Sequence, residues 1–191
     1  MVLLFALGAG LLAGMALARW NGHLYQVPNL QYLWLVFIAF LPQVLVIYLP
    51  NLPKGLVAGS LLASQTLLFG FAWLNRRIPG MPILICGVLL NLLVMAANGG
   101  FMPVSPQTAN RLVSKERLVD FQFGSRIGAK DILLLPQDTH FEWLADRFLT
   151  PAQFPSRAAF SLGDVFIAIG AFWMLAKPGS PNQFSTRGTQ P

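Results

Sequence analysis

MPILICGVLLNLLVMAANGGFMPVS, residues 81–105, joins the two kinds of sequence from which this chain is built. Residues 81–97 carry no charge and one strongly polar side chain, Asn91, before Asn98, Gly99, Gly100 and Pro103 break the run. A helix crossing the hydrocarbon of a bilayer needs about 20 apolar residues, with a range of about 17–25. The next segment is opposite in character: residues 102–160 hold every acidic residue of the chain except Asp164, and most of the basic ones.

On either side of this pair lie four more apolar runs, at about 2–18, 32–49, 56–74 and 161–176. The whole chain is 55% hydrophobic and 10% charged, with mean hydropathy +0.59. Soluble domains carry about 25% charged residues. The expected fold is therefore an all-α integral membrane protein of one membrane domain. It has five transmembrane helices and one extramembrane loop, 102–160, capped by short helices.

Breaks between the runs agree with this count. Pro50 and Pro53 close the second run, because proline has no amide proton for a helix interior. Residues 75–80, NRRIPG, divide the third from the fourth, and Lys177-Pro178-Gly179 ends the fifth. Ser161 and Asp164 form a variant capping box at its start. Arg19, Arg76, Arg77, Lys177 and Arg187 fall on one side of the bilayer and Lys54 on the other. Basic residues in short loops stay cytoplasmic, so the N-terminus and the long loop face outward and the C-terminus faces the cytoplasm. Ala16-Leu17-Ala18 has the form of a signal-peptidase site. No basic residue precedes the run, however, and cleavage would leave Arg19, Arg76 and Arg77 outside, so an uncleaved first helix is expected.

The net charge of +6 does not indicate nucleic acid, since the basic residues flank apolar spans rather than cluster with aromatics. The one cysteine, Cys86, lies within an apolar run and can supply neither an intrachain disulfide nor a cysteine metal site.

Inside the spans, Gln43, Gln65 and Asn91 read as an intramembrane polar seam, with Ser60, Ser64 and Thr66 nearby. Such groups usually hydrogen-bond between helices. Asn91 and Asn98, seven residues apart, share nearly one helix face. Gly10-xxx-Gly14 in the first helix is a close-packing signal, either within the chain or towards a partner or second copy. No span holds a charge pair, which argues against a proton- or ion-driven transporter.

In the loop, Ser105-Pro106 opens an expected helix over about 106–118. Thr139 to Glu142 has capping-box form and opens a second, over about 140–148. Asp138, His140, Glu142 and Asp146 suggest metal or acid–base chemistry. However, the HExxH spacing is missing and His140 and Glu142 diverge on a helix, so no metal or other cofactor is expected. No Gly-x-Ser-x-Gly nucleophile motif occurs.

Residues 98–105, NGGFMPVS, and 160–170, FSLGDVFIAIG, together resemble a bacterial family of small membrane proteins known as domain of unknown function 5317. Between them Thr139, Leu144 and Asp146 match that family's threonine–leucine–aspartate segment, and Lys130 fits a basic position. Ala145 and Asp131 stand where the family has glycine and histidine. The resemblance implies five helices in the bacterial inner membrane and no established activity. It also implies that Asn98, Asp146 and Asp164 belong to one arrangement, to which His140 and Arg147 lie close in sequence. Physically, Asn98 ends the fourth helix where Asp164 begins the fifth, so both are expected at one membrane level with Asp146 or Arg147 beside them. The expected role is a non-catalytic accessory protein binding a partner or lipid. The alternative is a membrane-surface enzyme acting on a lipid or lipid-linked substrate through Asp146, Asp164 and His140; a transporter component comes third.

Overall fold

The computed structural model describes residues 2–49, 52–112, 122–151 and 157–177. They form a mostly helical fold: α1 (Val2–Trp20), α2 (Trp34–Tyr48), α3 (Lys54–Leu74), α4 (Met81–Ala97), a short α5 (Pro106–Leu112) and α6 (Leu162–Ala176). At 1.5 Å per residue, the 19 residues of α1 and 21 of α3 extend about 28 and 31 Å. These are the two described helices long and apolar enough to cross a membrane; α2, α4 and α6 are shorter apolar helices.

The five long helices pack in series. α1 lies on α6, α6 on α4, α4 on α3, and α3 on α2, so the last helix in sequence inserts between the first and the fourth. Glycine determines the closest contacts. Gly80, the N-cap of α4, and Gly87 within it oppose Gly170 and Gly163 on α6, and a β-carbon on any of the four would strike the backbone of the opposing segment. Seven-residue spacing returns each glycine to nearly the same face, and the antiparallel direction matches the pairs. On the other side of α6, Gly10 and Gly14 of α1 rest against the backbone at Phe172 and Leu175. The small-residue face of α1 is thus occupied within the chain. Between α2 and α3, Gln43 Nε2 donates to Ser64 Oγ at 2.8 Å. Gln43 follows Pro42, which sits inside α2. Gln65, the other seam amide of α3, has its Oε1 buried without a partner.

Residues 21–33 cross one end of this row from α1 to α2. Tyr25 donates its hydroxyl proton to the Leu175 carbonyl at 2.9 Å. Asn75, the C-cap of α3, accepts from Gln31 N at 2.8 Å and donates to Gln31 O at 2.9 Å, while also donating to Phe71 O. One amide side chain therefore satisfies both backbone groups of a loop residue and a terminal helix carbonyl.

At the other end, the loop folds into a cap that carries strands. β1 (Met102–Val104) pairs in parallel with β3 (Asp131–Leu133), and β2 (Arg126–Ile127) pairs antiparallel with β3. Asp146 bridges to Val104 along the free edge of β1. Pro103 fits there because its missing amide faces that edge, where its carbonyl accepts from Asp146 N. β4 (Phe148–Leu149) pairs with β5 (Ala159–Phe160), leading the chain back into α6. Phe101, Met102, Ile132 and Leu144 pack with Val57, Leu61, Val94 and Met95, so the cap and the ends of α3 and α4 share one core.

Of the two helices expected in the loop, one is described in part and the other is corrected. Ser105 does cap α5, accepting from Thr108 N at 3.3 Å, and the helix is described from Pro106 to Leu112; the rest of the expected 106–118 helix lies outside the described residues. The expected 140–148 helix is absent. Phe141 takes a left-handed conformation, φ +56, Glu142–Leu144 makes one 3-10 turn, and Asp146 is drawn into the bridge with Val104. Thr139 donates its hydroxyl to Leu135 O instead of capping a helix. Long-range pairing with β1 here overrides a local helix signal.

The glycine contact gives a direct prediction. Gly87→Leu forces α4 and α6 apart at backbone atoms that cannot move aside, and should lower stability by about 1–3 kcal/mol. Gly59→Leu, with nothing within 4 Å, should be neutral or slightly stabilising. Thermal unfolding in detergent distinguishes the two; equal effects would contradict the contact.

Candidate functional site at the junction of cap and helix ends

The α4–α6 contact brings Asn91, buried two turns before the end of α4, against the first turn of α6. Ser161 is the N-cap of α6. Its Oγ accepts from Asp164 N at 3.0 Å, and Asp164 Oδ2 accepts from Ser161 N at 3.1 Å, completing a capping box. Asn91 then closes a ring: Ser161 Oγ donates to Asn91 Oδ1 at 2.8 Å, and Asn91 Nδ2 donates to Asp164 Oδ1 at 2.9 Å. Every polar group of the cap is used, and Ser161 is fully buried.

Lys130, immediately before β3, joins this ring to the cap. Its Nζ lies 2.9 Å from Asp146 Oδ2 and 3.9 Å from Asp164 Oδ2. The Lys130 side chain is 38% exposed, while that of Asp146 has no exposed surface, so the stem reaches the surface and the ammonium ends on a buried carboxylate. Burial would lower the Lys130 ammonium, but Asp146, Asp164 and Asp131 outweigh it and hold its pKa above the ordinary lysine value. Asp146 is raised by burial and by Asp164, against the pull of Lys130. Burial pushes Asp131 up to about 7, opposed by Lys130 and reinforced by Asp146 and Asp164.

Seven residues beyond Asn91, about 10 Å along the helix, Asn98 forms a second junction. It is the C-cap of α4 and repeats the geometry of Asn75. Nδ2 donates to Val94 O at 2.8 Å and His140 O at 2.9 Å, and Oδ1 accepts from His140 N at 3.0 Å. Gly99 and Gly100 follow with φ +70 and +89, and Gly100 N donates to Met95 O at 2.7 Å, the left-handed ending that glycine allows.

The candidates from sequence thus divide. Asp146 and Asp164 meet through Lys130. Asn98 belongs to a separate junction, and the partner of Asp164 on α4 is Asn91. His140 enters through its backbone alone, with an exposed side chain, and Arg147 is also exposed. Asn91, expected in a seam with Gln43 and Gln65, instead anchors the cap of α6. Lys130, Asp131 and Ser161 carry more of the site than their sequence context suggests. A usable signal was present: Lys130-Asp131 directly precedes the apolar residues 132–135, which places two charges at the edge of a buried strand. Among the described residues, no group of three His, Cys, Asp or Glu side chains is arranged to hold a metal ion.

Chemically this is an ion-paired joint, with one ammonium held between two carboxylates. Lys130→Met leaves a buried carboxylate without its cation. The cost should be roughly 2–4 kcal/mol, below that of a fully buried pair because the lysine stem is partly exposed. Lys130→Arg should recover most of it. Denaturation in mild detergent measures both; a silent Lys130→Met would show that the pair does not hold the cap.

The family profile that matches residues 28–176, most of the chain, is described as a family of unknown function, DUF5317. A relative from Thermotoga maritima, named as an uncharacterized protein, is 31% identical over 119 residues, which is 60% of this chain. The chain spans 62% of that relative's length. No solved structure matches. The match over residues 28–176 covers the helices that build the joint and the cap that closes it, and the chain belongs to the family of unknown function DUF5317.

Proposed function

We propose that this protein is a multi-pass component of the bacterial cytoplasmic membrane. In this reading all five long helices span the bilayer, the N-terminus and the cap lie outside, and the C-terminus is cytoplasmic. Its role is non-catalytic: it is an accessory protein that binds lipid or a membrane partner. The membrane reading is supported by large apolar side chains exposed on α1, α2, α3 and α6, among them Leu4, Leu12, Phe37, Leu41, Leu56 and Ile169. Faces of this size on a water-soluble protein would drive association. Charge supports the orientation, with Arg19, Arg76, Arg77 and Lys177 at the end of the row opposite the cap.

The observation that carries the non-catalytic reading is the use of the polar groups at the joint. Lys130, Asp146, Asp164, Asn91 and Ser161 are bonded to one another, and the one histidine nearby turns its side chain outward. An enzyme needs a nucleophile or acid–base pair free to meet substrate. The lipid arm is supported by a groove of about 660 Å³ at the foot of α1, lined by Met15, Ala16, Arg19, His23, Leu24 and Tyr25. Apolar walls with a cation at the rim suit an anionic headgroup and the start of its chains.

Reporter fusions test the topology: a fusion after Gly80 should read cytoplasmic and one after Asp138 external. Both reporting the same side would end the five-span reading. For the role, native mass spectrometry from nanodiscs containing phosphatidylglycerol should show retained lipid that Arg19→Gln reduces several-fold. A bare protein with no lipid or partner, or turnover of a lipid substrate lost in Asp146→Asn, would contradict it.

A further inference from the structure

The Oδ1 atoms of Asp131 and Asp146 are both buried, and no donor reaches either one. Asp146 is 1% exposed, and its other oxygen is taken by Lys130. Strand register turns the two carboxyls to the same face of the sheet. Asp131 pairs with Met102 on one side of β1, and Asp146 bridges to Val104 on the other. Met102 and Val104 project to one face of the strand, so their paired neighbours do too, and the two carboxyls act on each other there by charge and hydrogen bonding. An ionised carboxylate only accepts. Two ionised groups facing each other would leave both buried oxygens unsatisfied, whereas one proton lets one carboxyl donate to the other and satisfies both. Charge gives the same answer, because a single ammonium, Lys130, faces three carboxylates: Asp131, Asp146 and Asp164.

We propose that Asp131 and Asp146 hold one proton between them, and that this bound proton latches the cap onto the helix ends, so that cap docking responds to the surrounding pH. The charged groups that act on the pair are Lys130, immediately before β3, and Asp164, from the first turn of α6. Arg126 on β2 pairs with Ile132 and so belongs to the opposite face of the sheet, and Arg147 and His140 are exposed. The site lies outside the spans and does not depend on which role the protein serves.

The direction is set by which state binds the proton. Burial raises Asp131 to about 7 in the docked cap, and Asp146 is raised as well. Undocking returns both to the ordinary carboxyl range, near 4. The docked state therefore binds the proton more tightly. Its advantage is full below about pH 4, declines as pH rises through about 7, and levels off above that. Lys130, raised rather than lowered, stays charged throughout this window.

Two measurements on the full chain in nanodiscs decide the matter. Infrared difference spectra between about pH 5 and about pH 8.5 should show a protonated carboxyl band that titrates near 7, is lost in Asp131→Asn and persists in Asp138→Asn, whose residue is exposed. Amide protection at His140 and Asp146, corrected for the intrinsic exchange rate, should fall at least about tenfold over the same range. In Asp131→Asn it should stay within about twofold, because the new amide can donate to Asp146 Oδ1 at every pH. A wild-type protein without the band overturns the proposal whether or not the variant folds. Unchanged pH dependence in a folded Asp131→Asn overturns it equally.

Discussion

Two helices that approach as closely as α4 and α6 must have no side chains between them, and four glycines meet that condition. In a bilayer, apolar side chains gain little by leaving lipid for a protein interior, so helix association depends on close van der Waals contact and on polar bonds between helices. Gly80 with Gly170 and Gly87 with Gly163 provide the first. The second comes one turn beyond Gly87, where Asn91 bonds the side chains of Ser161 and Asp164 that begin α6. The contact therefore sets how deep α6 starts. That depth fixes Asp164, Asp164 draws on Lys130, and Lys130 holds Asp146 and the strand around it.

Loops at the ends of apolar helices face a particular difficulty, because both the last helix carbonyls and the loop's own backbone need partners near a low-dielectric region. This chain uses one solution twice. Asn75 at the end of α3 and Asn98 at the end of α4 each bond the carbonyl four residues back and both backbone groups of one loop residue, Gln31 and His140. An asparagine amide has the same donor–acceptor pair as a peptide, so it serves as a single rung of ladder. The two clamps lie at opposite ends of the helix row and fix the α1–α2 connection and the cap.

Much of this was legible in the sequence, and the reason differs from residue to residue. The helical runs, the Ser161–Asp164 capping box and the Ser105 cap are local signals, each set by residues within one turn. Gly10 and Gly14 were visible as a packing face, but their partner was not, since nothing local says that α6 lies there. The heptad glycines of α4 and α6 are readable only once both helices are compared in antiparallel order. The failure at 140–148 has the same origin: Thr139, Glu142 and the apolar spacing favour a helix, while the bridge to Val104 and the bonds from Asn98 pull the segment extended. Asp131 was hardest, because its environment comes from strands that pair across the cap.

Asn91 of α4 holds the start of α6 through Ser161 and Asp164, and the joint and cap are built on that hold. A double-mutant cycle of Asn91→Ala with Asp164→Ala, read by equilibrium unfolding in mild detergent, probes it without intermediary. Residues bonded at 2.9 Å in a partly buried ring should show a coupling free energy of about 1–2 kcal/mol, with the double variant clearly less destabilised than the sum of the singles. Strict additivity, within about 0.3 kcal/mol, would show that the two side chains do not act on each other.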